Sequence, residues 1–315
     1  MKQYLFGAGI GLALATIPAG FASAATLSAT ELLQHYSVIT SGDFVNSSID
    51  IEGNAYVGGN LTGDALFDFG SHGAQRADVA EVVVIGNAAG KTIRGNGGGT
   101  TDAVVNGDAS GTIGANSTTL VSGPTASALV PDDAIGILNN LSAQLYGLTA
   151  TATATVSEGK KLNLTAAPTD GVTVYSIDAA LLSLANGEIN VADNGADLIV
   201  INVTGTGNVT SNFVGGGFDS FASKVIWNFV DATDILFDRQ FWGQILAPNA
   251  TVSNNNNLEG ALFAKSFVQN GESHVTTFTG ELPPPPSAPP AVPLPAGLPL
   301  LVSALAGVAM LRRRR

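Results

Sequence analysis

The 315-residue chain contains no cysteine, which excludes a disulfide framework, a thiolate metal site and a cysteine nucleophile together. Charge is scarce as well. Only 12% of the residues are Asp, Glu, Lys or Arg, and 13 basic residues stand against 25 acidic ones, a formal charge of −12. No basic footprint is available to compensate phosphate charge, so nucleic acid is excluded as a partner. Aromatic residues make up 7% of the chain, fewer than an all-β sandwich core would use. Apolar runs of full membrane-spanning length are missing too: the two uncharged stretches, 4–17 and 297–311, fall short of the roughly 20 residues that a spanning helix needs. What the chain does have is 38 glycines and a 45% hydrophobic content, which is not a disordered composition.

The two short apolar stretches lie near the two ends. Lys2, the run from Tyr4 to Ile17, helix-breaking Pro18 and Gly20, and the small residues Ala22-Ser23-Ala24 form an export signal over residues 1–24, a signal helix with cleavage before Ala25. At the other end, Leu282 opens a proline-rich linker over residues 282–291, which reads as a stiff extended spacer. Val292, Pro293, Leu294, Pro295 and Ala296 follow, then the hydrophobic helix from Gly297 to Leu311 and the terminal arginines Arg312 to Arg315. At about 1.5 Å per residue that helix spans roughly 22 Å, thin for a hydrocarbon core, and the arginines hold its end in the cytoplasm. Without these two segments the exported body, residues 25–281, keeps eight basic and all 25 acidic residues, a charge of −17. Such a charge keeps an exported protein soluble and disfavours anionic surfaces unless divalent cations bridge them.

Residues 292–315 resemble the VPLPA-CTERM sorting domain, a relative of the PEP-CTERM tails of Gram-negative bacteria, with all five motif letters matched. The resemblance implies that an exosortase-type transpeptidase recognises Val292 to Ala296 and processes the tail, after transient anchoring in the inner membrane and after signal peptidase has acted at the other end. A permanent C-terminal anchor is the alternative fate of the same segment.

Within the body, helical periodicity is rare. Leu27 to Leu33 predicts a short helix capped by Ser28 or Thr30, and Pro131 to Tyr146 predicts a longer one, with Ala134, Leu138, Leu141 and Leu145 on one stripe, Asp132 and Asp133 in the first turn and Gly147 beyond the end. Everything else reads as short strands between Gly, Asn and Asp. Gly53-Asn54-Ala55, Gly86-Asn87-Ala88 and Gly107-Asp108-Ala109 recur at offsets of 33 and 21 residues, the longer one fitting a coil with an insertion over Phe67 to Glu81. Strands around Ile201, Trp227, Ile245 and Leu262 recur at 26, 18 and 17. Such periods predict a mainly β fold, a right-handed parallel β-helix whose apolar flank is covered by the helix over residues 131–146.

The body carries a second resemblance. Asp43-Phe44, the run Ile51 to Asn60 (I-E-G-N-A-Y-V-G-G-N), Trp242 to Ala250, Leu258 to Ser266 and Gly271 to His274 are similar to the choice-of-anchor A family. That family brings alternative surface anchors and no established catalysis, so no catalytic residue, metal site or cofactor is carried over. Residues 149–194 match little of it.

Candidate chemistry is sparse. The three histidines, His35, His72 and His274, lack any H-x-x-x-H spacing, and no G-x-S-x-G elbow is present. Gly97 to Gly99 and Gly215 to Gly217 lack the phosphate-loop context and read as corners. Asp64 with Asp68, or Asp193 with Asn194 and Asp197, offer weak calcium ligand sets that surface turns also explain. Thr149, Thr151, Thr153 and Thr155 alternate with alanines, a strand with one threonine face of the kind that an ice-binding solenoid would display. Asn254 to Asn257 suggests an asparagine ladder at a corner or a glycan contact. Phe213, Phe218, Phe221, Trp227, Phe229, Phe237, Phe241 and Trp242 concentrate the aromatics in one third of the body, as a core does. The resulting expectation is a non-catalytic structural or adhesive protein of the bacterial cell surface or extracellular matrix. A polysaccharide- or ice-binding module is the alternative. A polysaccharide-acting enzyme is a further one, requiring Lys224, Arg239 or Lys265 to gather with Asp side chains in one groove.

Overall fold

The computed structural model describes residues 24–284 apart from 48, 71, 73, 74, 98, 99 and 215–220. The sequence signal, the tail motif Val292 to Ala296, the C-terminal hydrophobic helix and Phe218 therefore lie outside the described residues, as does Ala22 of the cleavage site. Ala24 is half-buried, and the carbonyl of half-buried Ala25 accepts the Asp132 N–H at 2.9 Å. Among the described residues no helix is long and apolar enough to cross a membrane.

The body is a parallel β-helix with three faces. Ten strands form the first face in the order Thr118–Val121, Thr101–Val105, Val82–Val84, Asn54–Val57, Tyr36–Thr40, Leu262–Gln269, Gln244–Asn254, Val225–Phe229, Leu198–Thr204, Val172–Asp178. This is not the chain order. The first strand, Tyr36–Thr40, sits in the middle: Val38 is in register with Ala55 on one side and with Leu262, from the last coil, on the other. The N-terminal half of the body coils away from it in one direction up to Thr118–Val121. The chain then enters the opposite end at Val172–Asp178 and coils back until its last strand meets its first.

The predicted spacings are registers in this stack. Ile201 pairs with Trp227, Trp227 with Ile245 and Ile245 with Leu262. The glycine repeat needs a correction. Gly86 and Gly107 do stack, but Gly53 packs on Ser37 in another column; the true column is Gly42-Asp43, Gly59-Asn60, Gly86-Asn87, Gly107-Asp108. The backbone N–H of Asn60 donates to Asp43 Oδ1 (2.7 Å), that of Asn87 to Asn60 Oδ1 (2.9 Å) and that of Asp108 to Asn87 Oδ1 (2.7 Å), at steps of 17, 27 and 21 residues. Each side-chain oxygen thus satisfies a corner amide that the sheet ladder leaves over. The glycines are required by closeness: a Cβ at Gly107 would stand 2.4 Å from the Gly86 carbonyl. The step of 27 contains the insertion, which leaves the coil after Phe69.

First-face strands are apolar on both sides because both sides are covered. Inward residues such as Val38, Ile201, Trp227, Ile245 and Leu262 fill the solenoid. Outward residues such as Ile39, Val200, Ile226, Leu246 and Phe263 pack beneath helices. Helix α1 (Ala29–His35) starts at a capping box, with the Glu31 N–H donating to Ser28 Oγ (3.2 Å) and the Ser28 N–H to Glu31 Oε2 (2.8 Å). A short helix α2 (Pro124–Leu129), not expected from the sequence, precedes α3 (Ala134–Tyr146), which buries the predicted stripe Ala134, Leu138, Leu141 and Leu145.

One polar seam fastens α3 to the sheet. The outward Asn202 and Asn228 are registered neighbours and both buried. Asn228 Nδ2 donates to the Ser142 carbonyl (2.9 Å) and to Asn202 Oδ1 (2.8 Å), Ser142 Oγ donates to Asn228 Oδ1 (2.6 Å), and Asn202 Nδ2 donates to the Leu145 carbonyl (2.9 Å). Removing one member strands the others without water. Asn228→Ala is expected to lower unfolding free energy by about 2 to 4 kcal/mol, read from urea denaturation; a loss within the error of the measurement would show that the seam contributes nothing to the docking of α3.

Candidate binding face

The second face comprises five strand segments: Asp234–Phe237, residues 251–254, residues 266–269, Phe44–Asn46 and Leu61–Gly63, paired in parallel without interruption. Alternation along each strand splits it into two layers. Ile235, Val252, Phe267, Phe44 and Leu61 point inward and are buried, with the Phe44 and Phe267 rings 5.2 Å apart. The outward row is Leu236, Ser253, Val268, Val45 and Thr62, each in register with the next. Asp234, Thr251 and Ser266 start a second row beside it. The side chains repeat about every 4.8 Å across the strands and 6.6 Å along them. They carry methyl and hydroxyl groups apart from two carboxylates of the second row, Asp234 at one edge and Asp43 one strand past Ser266 at the corner, where Asp43 Oδ1 accepts the Asn60 N–H.

A buried amide edge fixes this patch. Asn254, Gln269 and Asn46 lie in register at the ends of its strands. Asn254 Oδ1 accepts the N–H groups of Asn270 (3.0 Å) and Gly271 (3.3 Å), and Gln269 Nε2 donates to the Ile49 (2.9 Å) and Asp50 (3.2 Å) carbonyls. Asn254 to Asn257 is thus a structural corner: Asn255 Nδ2 donates to Asp238 Oδ1 (3.0 Å), and the Asn257 N–H donates to Asn256 Oδ1 (3.0 Å).

The face differs from the one expected. Thr149 to Thr153 are not strand, and only Thr155 belongs to one, Thr155–Ser157, the antiparallel edge beside Lys161–Thr165. Thr151 Oγ1 accepts the Val174 N–H (3.0 Å), while Ala152 and Ala154 pack on the core. Thr149, Thr151, Thr153 and Thr155 are exposed, but the expected strand forms only from Thr155 on and is the edge of its sheet, so no stacked threonine row is built there. The small-residue rows of the second face were missed because their members come from five distant segments, and register alone brings them together.

The other candidate groups are occupied. Asp68 pairs with Arg94 at 2.5 Å and Asp193 with Lys224 at 2.6 Å, which removes the carboxylates on which both calcium sets depended. No group of three or more His, Asp or Glu suited to a metal occurs among the described residues. Lys224 and Arg239, the latter 3.4 Å from Asp238, serve separate pairs and do not gather in one groove. Trp227, Phe229, Phe237 and Phe241 are fully buried, as expected of core, and Trp242 is half-buried against them.

His35 and His274 are packed into the fold, whereas His72 is exposed. His72 Nδ1 lies 3.6 Å from Glu52. The third face is made of Thr155–Ser157, Lys161–Thr165, Glu188–Ala192 and Asn212–Phe213, then Phe241–Trp242, Leu258–Glu259 and Ser273–His274, then Leu66–Phe69, Thr92–Gly95 and Ile113–Ala115. On it His274 links coils, with Nδ1 2.8 Å from Glu259 and Nε2 2.8 Å from Glu272. Burial opposes its charged form, but the hydrogen bonds to Glu272 and then Glu259 together raise its pKa above the ordinary value. His35, buried against Tyr36 with ring centroids 4.6 Å apart, is pushed down to about 4 by burial.

The two shifts oppose each other in their pH dependence. The unfolded chain takes up a proton at His35 near 6.5 but the folded chain only near 4, so the His35 contribution is complete above 6.5 and lost as pH falls toward 4. The His274 contribution is complete below 6.5 and lost as pH rises through its raised folded value. His35→Gln is expected to flatten the acid limb of the stability profile by on the order of 3 kcal/mol, and His274→Gln to remove the decline on the alkaline side. Urea midpoints between pH 4 and 9 check both, and an acid limb unchanged in His35→Gln contradicts the burial argument.

Among solved structures, the fold is similar to an ice-binding protein_1 domain of Shewanella frigidimarina, at 13% identity and a TM-score of 0.39 over 80% of this chain and 99% of that one. An ice-binding protein from an Antarctic biological consortium is 14% identical, with a TM-score of 0.36 over 82% of this chain and 95% of that one. An ice-binding protein from an Antarctic Flavobacteriaceae bacterium is 18% identical, with a TM-score of 0.33 over 80% and 65%. No curated protein matches the chain. Residues 29–275 match the family described as "Putative Ice-binding-like adhesive domain", from helix α1 to just past the last third-face strand, and the chain belongs to that family.

Proposed function

We propose that the chain is an exported, non-catalytic adhesive module of the bacterial surface whose second face adsorbs to an extended ordered surface, ice first among these. The observation that carries this reading is the registered pair of rows, Leu236-Ser253-Val268-Val45-Thr62 and Thr251-Ser266. Ionised side chains hold their hydration shells, whereas hydroxyl and methyl groups in a fixed lattice release or order water at little cost, so a repeating solid can be approached closely. The family's description, which joins ice-binding-like with adhesive, supports an adhesive role. A charge of −17 on the exported body keeps molecules apart in solution, as an adhesive that must not bind itself requires.

Adsorption of the mature protein into a growing ice hemisphere tests the face. Ser253→Tyr places a phenol in the middle of the outward row and is expected to abolish adsorption with an unchanged melting temperature, while Glu272→Gln on the third face leaves adsorption intact. Undiminished uptake of Ser253→Tyr, or no uptake of the parent protein, would refute the assignment.

Delivery belongs to the same proposal. Signal peptidase acts before Ala25, the segment over residues 297–311 holds the chain in the inner membrane of a Gram-negative bacterium, and an exosortase-type enzyme reads Val292 to Ala296. Alanine at both Pro293 and Pro295 is expected to leave an unprocessed inner-membrane form in fractionated cells; surface display at the parent level would overturn the tail assignment.

A further inference from the structure

A groove of about 350 Å³ lies between α3 and the corner where the first face turns into the second. On the α3 side it is lined by Asn139, Ala143 and Tyr146, at i, i+4 and i+7, the stripe turned away from the buried Leu138, Leu141 and Leu145. The opposite wall is Val230-Asp231 and Pro248-Asn249, and Ser142, whose hydroxyl is committed to Asn228, closes the floor. We infer that this groove binds a neutral saccharide, with one sugar ring lying against Tyr146.

Three features select that class. Tyr146 is 54% exposed, whereas the largest aromatic side chains of the body are buried. The other large apolar side chains left exposed among the described residues, Ile113 and Val156, sit on the outermost strands of the third face, where a stack of coils must end. Tyr146 has no such reason to be bare. An exposed phenol offers an apolar face to the C–H side of a pyranose and a hydroxyl at its tip. The second feature is the set of polar groups around the ring. Asp231 uses one carboxylate oxygen on the Gly205 N–H (2.9 Å) and turns the other to solvent, and Asn249 uses its amide N–H on the Val230 carbonyl (2.9 Å), leaving its carbonyl oxygen as an acceptor. With the exposed amide of Asn139 these supply both acceptors and donors for sugar hydroxyls. The third feature is charge. No basic residue lines the groove and one carboxylate does, within a body of charge −17, so uronates and sulfated sugars are repelled. The volume lies in the range of small-ligand sites.

The test is titration of the ¹⁵N-labelled mature chain with neutral hexasaccharides of α-glucan, β-glucan, mannan and galactan, and with an alginate hexamer as the anionic arm. At least one neutral hexamer is expected to shift the Asn139 and Asn249 side-chain amides saturably, and alginate to leave them in place. Tyr146→Ala should weaken that binding roughly tenfold or more with an unchanged melting temperature, and Tyr146→Phe should retain most of it. No response to any neutral hexamer, an equal response to alginate, or full binding by Tyr146→Ala would overturn the inference. Ice adsorption should be the same in Tyr146→Ala as in the parent, so failure of the groove and failure of the second face are read separately.

Discussion

Every other part of the fold depends on the strand Tyr36–Thr40 being held between Asn54–Val57 and Leu262–Gln269. In a continuous solenoid each coil contacts only its neighbours in sequence. Here the two halves of the body grow outward from a shared middle, and the middle forms only when the first strand and the last coil meet. The ends of the body are bound at the same place, Gln34 Nε2 donating to the Phe278 carbonyl (2.9 Å) across 244 residues. Closing so long a loop costs conformational entropy that the contacts made at this join must offset.

How much of this was legible in the sequence follows from what spacing can and cannot encode. Stacked coils repeat a local pattern, so the offsets between Ile201, Trp227, Ile245 and Leu262 are the registers themselves. The stripe of α3 was legible for the same reason, being local. The strand order was not, because a spacing says which residues follow each other within a half and nothing of where the halves join. The Asp43, Asn60, Asn87, Asp108 column was hidden by the similar triplet at Gly53, which has the letters but lies at a different point of the coil. The calcium candidates failed because carboxylates were counted without their partners: in a body with eight cations, Arg94 and Lys224 had already taken Asp68 and Asp193.

The seam beneath α3 shows why amides are tolerated inside an otherwise apolar sandwich. Asn202 and Asn228 occupy outward positions in strands whose neighbours there are Val200, Ile226 and Leu246. Leucines at those positions would bury as much surface, but they would leave the placement of α3 to side-chain packing alone. Hydrogen bonds to the carbonyls of Ser142 and Leu145 are satisfied at one position of the helix only. The amides therefore set where α3 stops, and with it where Tyr146 faces the corner at Asp231 and Asn249.

The three faces divide the work by what covers them. The first face is spent on its helices, and its outward residues are core. The third is stitched by ionised groups, with His274 between Glu259 and Glu272 and Arg94 on Asp68, and is therefore strongly hydrated. Among the described residues, the second face presents a five-stranded patch of methyl- and hydroxyl-bearing side chains with neither a covering helix nor a network of ion pairs. Its inward layer of Phe44, Phe267, Val252 and Leu61 holds that lattice rigid, so the outward rows keep their spacing without help from a ligand. A surface that is ordered before contact loses little entropy on contact. The split solenoid places this patch across the join of its two halves, where Phe44–Asn46 from the first coil lies beside residues 266–269 from the last, so the same pairing that closes the fold also sets the register of its outward rows.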